Sequence, residues 1–420
     1  MAELVATAQP LVVRNLPRAN FVSFLAIAIV EFAVPFLAVS ALGATSAIVS
    51  LLAVARFLPA LLAAESASRY VTAHGYRQAM VVAEILRVVA FAAAVAGALF
   101  TSQGIVWFVV SLAVVSVAGA LSGVAIGDAV PYLTQGAGRV QMYSRLSIAE
   151  SGADAVGPFA GGVLLAWVSA PPAFVICAVL AALAVRLFTS LPRQAPVERV
   201  AAPEGALTIV TGLRVNLGEP VIRKVFMWML LYNLGQSVVM AVFLIAVTGE
   251  LGLDAQEYGL LASVVVIFAI VGAWWAGRVV PRAGWAGRLF QLSGISTMAA
   301  YVLIALCFAA PVHLAVVLLA VCLAVEEFFS AITGILISGY RAAYVPEAMR
   351  PASIAANRAC VAISVVIGYA VGGLLGLYLA PIPLMVGSGL VMLVASVVWL
   401  APSRVAHEIE LAHTVADAPA

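Results

Sequence analysis

About twelve apolar runs, each long enough to cross a bilayer as one helix, constrain this chain more than any other feature it has. A hydrocarbon core about 30 Å thick takes roughly 20 helical residues per crossing. Turn and charge clusters cut the sequence into such pieces at 18–39, 45–67, 77–99, 104–127, 142–168, 171–190, 222–248, 256–279, 287–309, 313–336, 352–379 and 381–401. Of the 420 residues, 65% are hydrophobic and 10% are charged, whereas a soluble domain is roughly half apolar and about a quarter charged. The chain therefore reads as an all-α integral membrane protein of twelve transmembrane helices, with the lipid bilayer as its first partner.

The arginines orient it. Arg14, Arg69, Arg139, Arg193, Arg199, Arg214, Arg282, Arg350 and Arg404 lie between runs and all fall on one side, while the loops around Ser40, Ser102, Ser169, Glu250, Pro311 and Pro381 hold no lysine or arginine. By the positive-inside rule both termini are cytoplasmic. Arg14 and Arg18 precede the first run, but no small-residue cleavage site follows it, so that helix is expected to be retained. A formal net charge of +2 with a single lysine leaves no basic stripe for a nucleic-acid partner. Cys177, Cys307, Cys322 and Cys360 lack metal-ligand spacing and read as small hydrophobes. His407 and His413 in the polar tail are too sparse for a metal, and no cofactor is expected.

Polar, proline-bearing sequence over 191–221 ("LPRQAPVERVAAPEGA") separates two halves of about six helices. The expected organisation is an amino-terminal bundle over 1–190, a cytoplasmic linker over 191–221, a second bundle over 222–402 and a cytoplasmic tail over 403–420. The halves resemble each other: "GPFAGGVLL" from Gly157 recurs as "GYAVGGLL" from Gly368, each in the fifth crossing of its half. A duplication in one orientation predicts two pseudo-symmetric bundles related by an axis along the membrane normal, the parallel-repeat plan of alternating-access carriers.

Charges inside the runs carry the chemistry. Each one costs at least about 2.5–3.5 kcal/mol at mid-bilayer and needs a partner, a wet cavity or a function. Glu31, Glu84, Glu150, Asp154, Glu326 and Glu327 face only Arg56, Arg87 and Arg358 as interior bases, so some acids must be kept neutral by a proton. Glu31, in "AIAIVEFAVPFLAV", has no opposite charge three or four residues away and is the leading proton-coupling candidate. Glu326 and Glu327 are adjacent and point about 100° apart, so one faces a pathway and the other a neighbouring helix. Arg56, Glu84 and Arg87 lie at similar depth on consecutive helices and read as a structural charge cluster, with Glu84 and Arg87 sharing a face at i, i+3. Glu150 and Asp154, at i, i+4, share a face that Arg145 or Arg358 could reach. Beyond them Gly157, Gly161 and Gly162 admit a second backbone closely, and Pro158 permits a bend.

With these motifs the chain resembles the major facilitator superfamily, and within it the bacterial efflux group that includes macrolide and enterobactin exporters. The similarity covers nearly the whole chain and is densest in "ARFLPALLAAESASRYVTAHGYRQAMVVAEILR" and "AVPYLTQGAGRVQMYSRLSIAESGADAVGPFAGGVLL". Gly157, Pro158, Gly161 and Gly162 match the core of the antiporter motif, although Ala153 stands where a glycine is usual. Gly75 and Arg77 remain of the superfamily's loop motif, with Thr72 in the acidic slot; Gly277, Arg282 and Gly284 remain of its second copy, with Pro281 in that slot. The resemblance implies the major facilitator fold, export in exchange for protons, and a role for Glu31 in proton or substrate binding. It also implies a cavity lined by helices one, four, seven and ten, to which Tyr232, Asn233 and Gln236 would bring hydrogen bonds, and Trp228 with Phe328 or Phe329 apolar surface.

The expected function is a monomeric secondary transporter that exports a small amphipathic or hydrophobic molecule, such as a drug, a macrolide-like metabolite or a siderophore, as protons enter. A symporter importing a nutrient on the same fold is the alternative. An intramembrane aspartyl protease would need GxGD, but "AIGDAV" has Ala125 in the first position, so no enzymatic activity is expected. The short loops offer no soluble domain for a receptor.

Overall fold

The computed structural model describes residues 2–100, 103–134, 137–192, 209–279, 286–346 and 349–400. The tail over 403–420 with His407 and His413, most of the linker, and Pro281, Arg282 and Gly284 lie outside the described residues. Thirteen helices and no strand are found among the described residues: α1 (Ala2–Ser40), α2 (Ser46–His74), α3 (Tyr76–Leu99), α4 (Gly104–Leu133), α5 (Ala137–Trp167), α6 (Ala170–Thr189), α7 (Ile209–Gly218), α8 (Pro220–Gly249), α9 (Ala255–Val279), α10 (Ala286–Cys307), α11 (Val312–Tyr344), α12 (Arg350–Leu375) and α13 (Pro381–Leu400). Each of the twelve predicted crossings coincides with one long helix.

Eleven of these helices are long and apolar enough to cross a membrane. The twelfth long helix is α5, whose 31 residues carry Arg139, Arg145, Glu150 and Asp154 and so fall below an average hydropathy that its neighbours exceed. Outer faces are apolar as well as inner ones: Val391, Val394 and Val398 run exposed along α13, and Leu62, Trp167 and Tyr378 project outward. Helices hydrophobic all round belong in lipid. The short α7 is a departure from the sequence reading, which treats that stretch as linker.

Ends of helices follow local chemistry. Pro220, Pro351 and Pro381 open α8, α12 and α13, where a missing N–H leaves no intrahelical bond unmade. The α9 start is a reciprocal cap: the Glu257 N–H donates to Asp254 Oδ1 at 2.8 Å, and the Asp254 N–H to Glu257 Oε2 at 3.0 Å. Gly75, at φ 81°, makes the sharp reversal between α2 and α3 that a side chain would strain. Two interior prolines are repaired from outside. The Ala60 N–H after Pro59 donates to Ser116 Oγ of α4, and the Phe159 N–H after Pro158 donates to Ser263 Oγ of α9, both at 2.9 Å.

The chain divides into two compact units: Met1–Ala44 with Leu51–Glu198 and Leu253–Ser263, and Thr45–Ser50 with Arg199–Gly252 and Val264–Ala420. The first has a core of Leu16, Tyr76, Met80, Leu121, Met142, Leu146 and Phe188, drawn from α1, α3, α4, α5 and α6. Within it a Cβ on Gly157 would strike Ala28 of α1, one on Gly161 would strike Phe32, and one on Gly162 would strike the Ala255 carbonyl at the start of α9. In the second unit the repeat glycines do the same work. Gly368 and Gly372 press on Leu234 and Val238 of α8, and Gly373 on Ser46 and Ser50 at the start of α2. The sequence repeat is thus a repeat of one three-helix contact, in which two glycines seat the first helix of the half and a third seats the start of another.

Candidate functional site

In the first unit, Arg56 leaves Glu84 and Arg87 and pairs elsewhere. Its Nη2 lies 2.6 Å from Glu31 Oε2, and its guanidinium sits 5.2 Å from the Phe57 ring centre. Glu31, which has no opposite charge three or four residues away, therefore has a cation on the adjacent helix, 25 residues away in sequence and invisible to an i, i+4 search. The pair is not sealed, since the Arg56 side chain is 43% exposed and that of Glu31 20%. Asp154 of α5 lies within electrostatic reach of Glu31, Arg56 and Glu150. Glu150 accepts a hydrogen bond from Asn20 Nδ2 of α1 at 3.0 Å. Asn20 went unremarked in the sequence, although an amide in an apolar run is itself a signal. The tight α1–α5 contact made by the glycines brings Glu31, Glu150 and Asp154 into one neighbourhood.

Glu84 and Arg87 form a separate, closed network. Both are buried; Arg87 Nη1 donates to Glu84 Oε1 and to Ser23 Oγ, Arg87 Nη2 donates to Ser122 Oγ at 2.7 Å, and Ser23 Oγ donates to Glu84 Oε1 at 2.8 Å. The network joins α1, α3 and α4. Nothing the size of a substrate can reach it, so its geometry is that of a structural fastening.

In the second unit the site gathers around Glu326 of α11, which is 4% exposed. The Tyr232 hydroxyl of α8 donates to Glu326 Oε1 at 3.0 Å and lies 3.4 Å from Ser330 Oγ. Tyr301 of α10 presents its hydroxyl to the same carboxylate. Glu327 points away, is half-buried, and makes no hydrogen bond or ion pair among the described residues. The adjacent acids thus face different surroundings, as their 100° offset requires. Beside Tyr232 opens a cavity of 140 Å³ lined by Trp228, Tyr232, Asn233, Thr297, Ser330 and Thr333 among others. Trp228 stacks on Tyr232 at 5.7 Å and 11°, and its Nε1 donates to Ser396 Oγ at 3.0 Å. Asn233 turns its amide back to the Met229 carbonyl at 2.8 Å.

The remaining expected residues stand apart from this cavity. Gln236 is half-buried one turn beyond Tyr232 and is not among the lining residues. Phe328 packs on Trp275 and Phe329, and its backbone meets Gly272. Arg358 is exposed, with Arg341 as its charged neighbour. Among the described residues no group of three or more His, Cys, Asp or Glu is arranged to hold a metal. Tyr301, Thr297, Ser330 and Thr333 belong to the site or its wall and went unread, because single hydroxyls in an apolar helix do not announce which face they occupy.

Apolar helices in two repeat-related units, with carboxylates and hydroxyls gathered inside them, define a polytopic membrane transporter. The family model described as Major Facilitator Superfamily matches residues 19–322, and the chain belongs to that superfamily. Its fold is similar to that of a bacterial homologue of the iron transporter ferroportin in an inward-facing state, at a TM-score of 0.74 and 14% identity, covering 93% of this chain and 98% of that one. It is similar also to the nucleoside transporter NupG (TM-score 0.70, 13% identity, 94% and 99% covered) and to the peptide transporter POT in complex with alafosfalin (TM-score 0.70, 12% identity, 94% and 95% covered). At such identities the likeness establishes the fold. No curated protein matches the chain.

Proposed function

We propose that this transporter is proton-coupled and exports a small amphipathic or hydrophobic molecule by alternating access, as a monomer in a bacterial inner membrane with both termini cytoplasmic. One observation carries the coupling. Of the six acids deep in the apolar runs, Glu31 and Glu84 have arginine partners, whereas Glu150, Asp154, Glu326 and Glu327 have no ion-pair partner among the described residues. An acid kept in an apolar bundle without a permanent cation can exchange its proton for another ligand. Glu326 suits that role because hydroxyls hold it in place beside an aromatic and amide-lined cavity. Glu31 suits it because Arg56 is half-exposed and able to release it.

Export rests on the antiporter-motif glycines and on the resemblance to macrolide and enterobactin exporters. The test uses everted vesicles with an acidic interior and a macrolide added outside. Antiport lets protons leave as the macrolide enters, so the pH gradient partly collapses in the wild type and holds in Glu326→Gln and in Glu31→Gln. Undiminished collapse in both variants overturns the coupling assignment. A nutrient importer would leave the gradient unmoved by macrolide and respond only to cargo loaded inside with the protons.

A further inference from the structure

Cys307 closes α10, Cys322 lies in α11, and their sulfurs stand 3.7 Å apart. Both are free thiols, Cys307 buried and Cys322 partly exposed. The turn joining the two helices is short and bonded: the Ala309 N–H donates to the Leu306 carbonyl and the Ala310 N–H to the Cys307 carbonyl, both at 3.1 Å. Two rigid helices therefore present two sulfurs in van der Waals contact. A disulfide has its sulfurs about 2.05 Å apart, so the two sulfurs have roughly 1.7 Å to close. The arginine pattern assigns this turn to the side opposite the cytoplasm, where oxidants outcompete thiol reductants.

We propose that Cys307 and Cys322 form a redox-active dithiol, which a disulfide-bearing compound oxidises to an intramolecular disulfide tying α10 to α11. Cys322, the more accessible, gives up its proton and attacks one sulfur of the oxidant. The oxidant's S–S bond breaks, and one half leaves as a thiol. Cys307 then attacks the Cys322 sulfur of the mixed disulfide, expelling the second half as a thiol with the proton from Cys307. The protein pair loses two electrons and two protons, and the oxidant gains both. Cys322 is one helical turn from Glu326, and Tyr301 lies less than two turns before Cys307, so the bond would fix the separation of the helices that bring those two groups together.

The full chain in dodecylmaltoside is treated with dipyridyl disulfide, unfolded in SDS, alkylated with a maleimide and mapped by peptide mass. In the wild type neither Cys307 nor Cys322 carries a pyridyl group, and both take maleimide only after reduction by a phosphine. Cys307→Ala keeps a lasting pyridyl adduct on Cys322, because the resolving thiol is gone. A lasting adduct on Cys322 in the wild type overturns the proposal, as do two thiols that take maleimide without reduction. Neither result depends on what the protein transports or in which direction.

Discussion

Arg87→Leu takes the cation away from a fully buried carboxylate. Glu84 and Arg87 are 0% and 1% exposed, and removing one partner of a buried pair costs about 3–5 kcal/mol, because the other charge stays behind. Ser23 still donates to Glu84 in the variant, which places the expected loss near the lower end, about 3 kcal/mol. The double variant Glu84→Leu/Arg87→Leu removes both charges. Ser122 keeps its bond to the Gly119 carbonyl at 3.2 Å, so only Ser23 is left short of a partner, at about 1 kcal/mol. The single variant should therefore be less stable than the double one by about 2 kcal/mol, several times the roughly 0.3–0.5 kcal/mol within which independent effects add. The assay is the temperature at which purified protein loses its monodisperse peak in size exclusion. Arg87→Leu should lower it by roughly 6–12 °C on the scaling of soluble domains, and the double variant should recover at least half. A double variant as unstable as the single would refute the argument from an uncompensated charge.

Arg56→Gln should shift the same temperature by less than about 4 °C, because a half-exposed pair contributes about 0–1 kcal/mol; a fall as deep as that of Arg87→Leu would mean the pair is a fastening. Gly157→Val, which drives side-chain atoms into Ala28, should cost about 1–3 kcal/mol by overpacking, whereas Gly123→Ala, in open space on α4, should be neutral or stabilise by about 0.4–1 kcal/mol. Measuring both by the same melt separates packing glycines from incidental ones, and equal shifts would contradict the contact described for α1 and α5.

The number, order and approximate ends of the long helices were legible because hydropathy is a property of each segment alone. Even α5 was found, since its Gly-Pro and Gly-Gly breaks and the repeat at Gly368 compensate for its charges. The α7 helix was hidden by the Pro, Glu and Arg residues before it; it is held by Asn216, whose amide bonds the Ser353 carbonyl at 3.1 Å, across 137 residues of sequence. Pairings between helices were the other loss. Whether Arg56 meets Glu31 or Glu84 depends on the rotation of α2 about its axis, which packing sets and a one-dimensional pattern does not record. The same holds for Tyr301 and Glu326, and for the two cysteines, which read singly as small hydrophobes.

The arrangement of Glu84 and Arg87 also bears on how the nascent chain enters the bilayer. Its two charges sit one turn apart on α3 and cancel within that helix, so the segment can leave the translocon before α4 has been synthesised. Glu31 has no such companion on α1, and its neutralising residue arrives only with α2. Until α2 follows, the first helix can enter lipid alone only by carrying one uncompensated charge, at about 2.5–3.5 kcal/mol, or by taking up a proton on that carboxylate.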